Sequence, residues 1–570
     1  MNEQMMQEDP LLQLIPKEHL SSEQKSFRPT ENKDGNDLQM YKMIREPTHL
    51  NDLDWKSYSK AATWRDNNTF ICVCENDYHE PMRVQFEEPN VCFVLWVGRT
   101  RLLCAIYGKT KESALETAVF LWSLKELKET KVYLEAWTFE DDKCKKHGFD
   151  FAALQPNQLA QILDANPQRE FELYTGTWSP ELSVILATRP QPINLQLVKN
   201  HKCKEGFRFT DEGTAFINAL ANRKSSFGSL SISYDNDTTP FSRNNFERLL
   251  QMGKVVETLQ IGRVGEECAL LPFSANTKAL AYKVYAKHML SMNFRFLKIH
   301  AKDLRMTIYL DEVKDFCKFL VKFLHRLAKI GHFERLYFNF YHRDLGNGVL
   351  FEGHKIAQVA EAVNRVIAAN AKLNHLDLSG TDFLVDTSSI IKIMTPCMES
   401  HKGLRTLKVG AYPPMDDSVF GESSDFDDDD SDDEDGFERL RRAPAWLDKL
   451  LHHNRKITVL DQEDNRCSNG PSTEQLYSLN AFYNGSAEII KASPSVRSSL
   501  VGVTLVERAT SNFQYGALLL SVHADVLCDF LHADTEEDGV AQPMEVDEEQ
   551  EQTATHVPVS RKAKKMRESK

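Results

Sequence analysis

The chain has 570 residues, of which 41% are apolar and 27% charged, the proportions of an ordinary globular protein. That excludes a wholly disordered chain, a collagen and a small disulfide scaffold, and at roughly 150 residues per domain the length allows about two to four domains. There are 83 acidic and 69 basic residues, for a net charge of −14, but twelve of the acids lie between Asp416 and Asp435, where there is no Lys or Arg, so the rest of the chain carries only about −2. No basic stripe suited to a phosphate backbone stands out, and no nucleic-acid partner is expected.

Residues 1–40 are polar and interrupted by Pro10, Pro16 and Pro29, a composition that predicts disorder. No secretory signal is read at the start of the chain, and no apolar run is long enough to cross a membrane. Eleven cysteines follow no repeating interval, which fits reduced thiols in a cytoplasmic setting. The terminal RKAKKMR offers a nuclear-import signal.

Residues 41–149 read as a small α+β domain. FICVCEN from Phe70, MRVQFEE from Met82, VCFVLWVG from Val91, RLLCAIYG from Arg101 and VYLEAWTF from Val132 all have strand character. Ser113 with Glu116 forms a capping box for a helix that places Leu115, Val119 and Trp122 on one face.

From 150 to 465 the chain is periodic. Two short units, starting at Pro156 and Ser179, each read helix, proline, extended run. A strand signature built around a central leucine then recurs as FGSLSI, VETLQI, FRFLKI, FERLYF, LNHLDL and LRTLKV, with weaker copies PINLQL and ITVLDQ. The central residues are Leu195, Leu230, Leu259, Leu297, Leu336, Leu376, Leu407 and Leu460, mostly 29 to 40 apart. Helix-like stretches lie between them. One strand and one helix cannot bury their apolar sides alone, but stacked units can.

LNHLDLSGTDF at Leu373 resembles a leucine-rich repeat of the long, ribonuclease-inhibitor-like kind. The resemblance covers about 190 to 465, or 150 to 465 with the short units. It is degenerate: the family places Asn or Cys five residues after the central leucine, and here only Asn200 and Asn465 sit there, with Thr381, Tyr341 and Val264 in other copies. The fold class expected is therefore α/β, a strand-helix leucine-rich-repeat-like solenoid with a parallel sheet, preceded by the α+β domain and closed by a C-terminal helical cap over 466–532. The acidic insertion 416–438 is expected to be a disordered loop, and 533–570 a disordered tail.

No catalytic or metal-binding constellation emerges. HRDL at His342 is like a kinase catalytic loop, but Asn347 lies too close to Asp344 and position 349 is Val. Cys72 and Cys74, Cys144 with His147, and His201 with Cys203 fit no ligand spacing. No cofactor and no small-molecule substrate are expected. The resemblance implies protein binding on a concave strand face, where the middle copies offer Phe296, Lys298, His300, Arg335, Tyr337, Asn339, His375, Asp377 and Lys408. Aromatic residues with arginine are the composition of binding hot spots. The expected role is a non-enzymatic adaptor or scaffold for an unidentified protein partner. Two alternatives are an acidic chaperone for basic proteins acting through 416–435, and an enzyme with an unrecognised site in the 41–149 domain.

Overall fold

A computed structural model describes residues 11–26, 39–49, 61–65, 67–75, 90–97, 100–125, 133–136, 153–173, 176–199, 207–234, 238–253, 255–311, 313, 315–342, 353–381, 388–410, 445–509 and 512–536. The chain forms two compact units, Met1–Asn480 and Ala481–Lys570.

Eight strands open the first unit: β1 (Leu12–Leu14), β2 (Met40–Met43), β3 (Ala61–Arg65), β4 (Thr69–Glu75), β5 (Asn90–Val97), β6 (Thr100–Gly108), β7 (Tyr133–Ala136) and β8 (Glu170–Leu173). A short helix, α1 (Ser22–Ser26), follows β1. The strands pair in the order β1-β2-β3-β4-β6-β5-β7-β8, antiparallel except at β2–β3 and β7–β8. Within the segment read as disordered, Leu11 and Leu12 are buried and β1 pairs with β2. Helix α2 (Lys111–Trp122) begins a turn earlier than the sequence suggests. Its cap is Thr110, whose side chain accepts from the Ser113 backbone N–H at 3.2 Å; Ser113 itself lies inside the first turn. The stretch from Met82 to Glu88 lies outside the described residues.

The sheet does not stop at β8. After α3 (Pro156–Ala165) and the two-residue β9 (Thr177–Trp178), helix α4 (Pro180–Thr188) leads to β10 (Ile193–Lys199), which pairs in parallel with β8. A second small strand, β11 (Arg208–Phe209), pairs with β9. The remaining strands are β12 (Gly228–Tyr234), β13 (Val256–Ile261), β14 (Ala279–Tyr285), β15 (Asp303–Tyr309), β16 (Arg335–Tyr341), β17 (His375–Gly380), β18 (Thr406–Lys408) and β19 (Thr458–Leu460). Each is parallel to the one before it. The result is an α/β fold in which ten parallel strands, β8 to β19 without β9 and β11, follow in chain order.

The sheet's register is its organising feature. Leu195, Leu230, Leu259, Leu280, Leu304, Leu336, Leu376, Leu407 and Val459 are successive partners across nine strands. Every one is at most 1% exposed, and each contributes roughly 1.5–3 kcal/mol by removing apolar surface from water. Helices cover this row: α5 (Thr214–Ala221), α6 (Arg243–Leu250), α7 (Phe316–Ile330), α8 (Gly353–Ala369), α9 (Ser388–Ser400) and α10 (Ala445–His453). On α7 the buried Phe316, Phe319, Leu320, Phe323, Leu324 and Leu327 recur at helical spacing. Its start is capped by the Asp315 carboxylate, and Gly331, at φ 65°, supplies the left-handed turn that ends it.

Two sequence expectations fail inside this row. Leu460 is displaced by Val459, which is the register partner of Leu407. More consequentially, FRFLKI is not a strand. Phe294–Phe296 is a 3₁₀ turn on the helix side, where Phe294 packs on Phe319 and Phe323 at 5.8 and 5.7 Å. The Leu297 carbonyl accepts from Arg326 Nε of α7 at 2.9 Å. The strands of this region are β14 and β15, whose leucines follow Leu259 after only 21 and then 24 residues. Short repeats are possible because 3₁₀ turns at Glu266–Cys268, Leu271–Ser274, Ala286–Met289 and Phe294–Phe296 replace full helices there.

Neighbouring repeats are also tied by polar side chains. Arg223 Nη1 donates to the Ala187 carbonyl at 2.9 Å and its Nη2 to the Gln191 carbonyl at 3.0 Å. Asn370, fully buried, accepts from the Phe333 N–H at 2.8 Å and donates to the Val366 carbonyl at 2.7 Å. Asn454 donates to the Met398 carbonyl at 3.0 Å. The bonds of Asn370 and Asn454 satisfy buried backbone groups that water cannot reach.

Beyond β19, Cys467 and Tyr477 join the same core. The Cys467 N–H donates to the Val459 carbonyl at 3.0 Å, and the Val459 N–H donates to the Tyr477 hydroxyl at 3.3 Å. Tyr477 belongs to α11 (Pro471–Ile489). The second unit contains α12 (Pro494–Thr504) and α13 (Phe513–Glu536), with Val501, Leu519, Val526 and Leu527 buried together. Helices thus occupy much of the segment expected to cap the repeats. No helix among the described residues is long and apolar enough to cross a membrane. The acidic insertion and the terminal tail lie outside the described residues.

Candidate functional site: the open face of the sheet

Strand side chains alternate. On β14, β15 and β16 the central leucine and every second residue from it are buried under the helix layer, while the residues between them point to the opposite, open face and are half-buried or exposed. Side-chain contacts between register partners confirm which residues share that face. Ser229 Oγ donates to Asn194 Oδ1 at 2.6 Å, Arg335 and Asp303 form an ion pair at 3.6 Å, and three tyrosines stand side by side.

Those tyrosines are Tyr285, Tyr309 and Tyr341, the last residues of β14, β15 and β16. Their ring centroids are 5.2 and 5.5 Å apart, with interplanar angles of 45° and 67°. The Arg263 guanidinium lies 5.2 Å from the Tyr285 ring centre and donates to its hydroxyl. Lys287 approaches the same ring at 5.2 Å. Cations over aromatic rings are attracted to the negative ring face, by roughly 0.5–1 kcal/mol when exposed.

Of the residues singled out from the sequence, Arg335, Tyr337, Asn339 and His375 are on the open face of β16 and β17. Asn339 lies against Gly380, where an added Cβ would meet its side chain at 2.6 Å. Burial, reinforced by the Arg335 cation, holds His375 below the usual histidine range. Asp377 is 7% exposed, and its carboxylate accepts from the Ser379 N–H and hydroxyl at 2.9 and 2.6 Å, so it stabilises the strand end. Lys408 is on β18 but is engaged by Asp464 at 2.8 Å. Phe296, Lys298 and His300 are not on a strand at all; they follow from the misplaced FRFLKI copy and belong to the connection between β14 and β15.

The sequence reading missed Lys283, Tyr285, Arg305, Tyr309 and Tyr341 as a group. Their signal was the two-residue alternation of ALAYKVY and DLRMTIY, which puts Leu280, Tyr282 and Val284, then Leu304, Met306 and Ile308, on the buried side. Lys283, Arg305 and Arg335 are exposed, and among the described residues Lys283 and Arg305 have no acidic partner. A cationic and aromatic surface therefore sits on a chain whose net charge is −14.

Among the described residues no group of His, Cys, Asp and Glu is arranged to hold a metal ion. The Cys144, His147, His201 and Cys203 positions lie outside them, as does HRDL after His342. The Cys467 thiol is buried, and its burial pushes its pKa up to about 12, which keeps it from acting as a thiolate nucleophile. A scan of the chain against models of known protein families finds no match, and a search of curated proteins finds no significant one.

Proposed function

We propose that this chain is a protein-recognition module of the leucine-rich-repeat kind, an adaptor or scaffold without catalytic activity that binds a protein partner on the open face of β14–β17. The observation that carries this reading is the concentration of Tyr285, Tyr309, Tyr341, Tyr337, Arg305 and Arg335 on three adjacent strands. Interface hot spots draw on tyrosine and arginine because both bury large contact areas and keep a polar group to orient the partner. The in-register leucine row beneath them fits a repeat scaffold whose stability is independent of what the face presents. The strand face of such repeats is where the family binds its partners.

The test compares capture from a lysate by the wild-type chain and by the double variant Arg335→Ala/Tyr337→Ala. A partner retained by the first and lost by the second, with the thermal melting curve unchanged, supports the reading. Equal capture by both removes this face from consideration. A partner lost instead on deletion of 416–435 favours the acidic-chaperone reading.

A further inference from the structure

On the open face, Lys283, Arg305 and Arg335 fall on a diagonal. Register pairs Lys283 with Thr307 and Asn339, Arg305 with Ala281 and Tyr337, and Arg335 with Asp303. From Lys283 to Arg305 to Arg335, each step therefore moves one strand across and two residues back. With strands about 4.8 Å apart and a rise of about 3.3 Å per residue, the step is about 8 Å. In an extended peptide, side chains on one face recur every 6.6–6.8 Å or so. The flexible stems of lysine and arginine span the difference of about an ångström.

Resting on the reading of this face as a recognition surface, we infer that its partner is an acidic peptide segment bound in extended form across β14–β16, with carboxylates on alternate residues meeting Lys283, Arg305 and Arg335. The charge is complementary, since the three cations are exposed. Arginine adds geometry, because a guanidinium matches a carboxylate with two parallel hydrogen bonds. The tyrosine row at the strand ends adds an aromatic contact at the Lys283 end of the diagonal, two residues from Tyr285.

A nucleic acid fits less well. Base stacking needs free ring faces, whereas Tyr285 and Tyr309 are tilted against each other and Arg263 packs on both, at 5.2 and 5.9 Å. Asp303, paired with Arg335 at 3.6 Å, and Asp377 also lie on this face and would repel a uniform run of phosphates.

The test uses the full chain and fluorescence anisotropy with three labelled probes: a short synthetic peptide of alternating glutamate and threonine, a peptide of the same composition with its glutamates grouped together, and an oligothymidine strand. The alternating peptide is expected to bind best, by about fivefold over the grouped one, and to release in high salt. Lys283→Ala, Arg305→Ala and Arg335→Ala should each weaken it by about two- to fivefold, and the triple charge reversal K283E/R305E/R335E should abolish binding while the circular dichroism melt is retained. Equal binding of the two peptides overturns the alternate spacing, and tighter binding of oligothymidine assigns the face to nucleic acid. Peptide binding that appears only after deletion of 416–435 reassigns the face to the chain's own acidic segment. If no peptide binds, yet Arg335→Ala/Tyr337→Ala still loses its captured partner, the acidic peptide is wrong and the recognition surface stands.

Discussion

On β10, β12 and β13 the open face carries Asn194, Gln196, Ser229, Thr258 and Gln260; on β14, β15 and β16 it carries Lys283, Tyr285, Arg305, Tyr309, Arg335, Tyr337 and Tyr341. Both halves use the same parallel pairing, and both contribute to the same buried leucine row. On the open face, the two halves differ in the side chains they present. In the first half Ser229 donates to Asn194 and Gln196 to Glu170; in the second, Lys283 and Arg305 point outward without an acidic partner among the described residues. Buried-row and open-face chemistry are thus written on alternate residues of the same strands.

The hardest blow to this comparison comes from the shared side. Leu259→Ala in the first half and Leu336→Ala in the second should each cost about 2–5 kcal/mol, the transfer and cavity cost of a fully buried leucine, measured by urea denaturation. A large disparity between them would mean that the halves are not one scaffold. Asn370→Ala should cost about 1–3 kcal/mol, because it strands the Phe333 N–H and the Val366 carbonyl without a partner; an isosteric Asn370→Asp should not restore the donor to Val366.

On the face itself, Arg335→Ala/Tyr337→Ala should abolish partner capture while moving stability by no more than about 0.5 kcal/mol, as surface substitutions do. Ser229→Ala/Thr258→Ala should alter neither quantity. A pH experiment makes the finest distinction. His375 is held below its ordinary value of 6.5 by burial and by Arg335 and Arg305, with Asp377 and Asp303 opposing them. Below pH 6.5 the unfolded chain takes up a proton that the folded chain refuses, so stability falls as the pH drops from 6.5 towards the folded value. His375→Gln should remove that part of the acid sensitivity, seen as a flatter melting temperature between pH 7 and about 5 relative to the wild type.

Much of the scaffold was legible. Six of the eight central leucines lie in the register row that periodicity predicts, and a seventh copy, at Leu460, is a strand shifted by one residue, because a buried row imposes an apolar residue at the same place in every copy. The failure at Phe294 has a physical cause. Its aromatic and leucine residues match the strand pattern, yet they are apolar because they pack on α7, and short windows do not distinguish the two kinds of burial. Expecting copies 29 to 40 residues apart then hid β14 and β15, whose connections are shortened by 3₁₀ turns. The site suffered in proportion: Arg335, Tyr337 and His375 were found from correctly placed strands, Lys298 and His300 came from the wrong one, and the tyrosine row was lost with the two strands that carry most of it.

A parallel array that repeats one register is a template for its own growth, since its last strand offers the same unmet backbone groups that every earlier strand offered. Here Val459 is met on that side by Cys467 and by the phenol of Tyr477. The two contacts act as a stopper at this point of the edge, where the backbone groups of the last strand are already met.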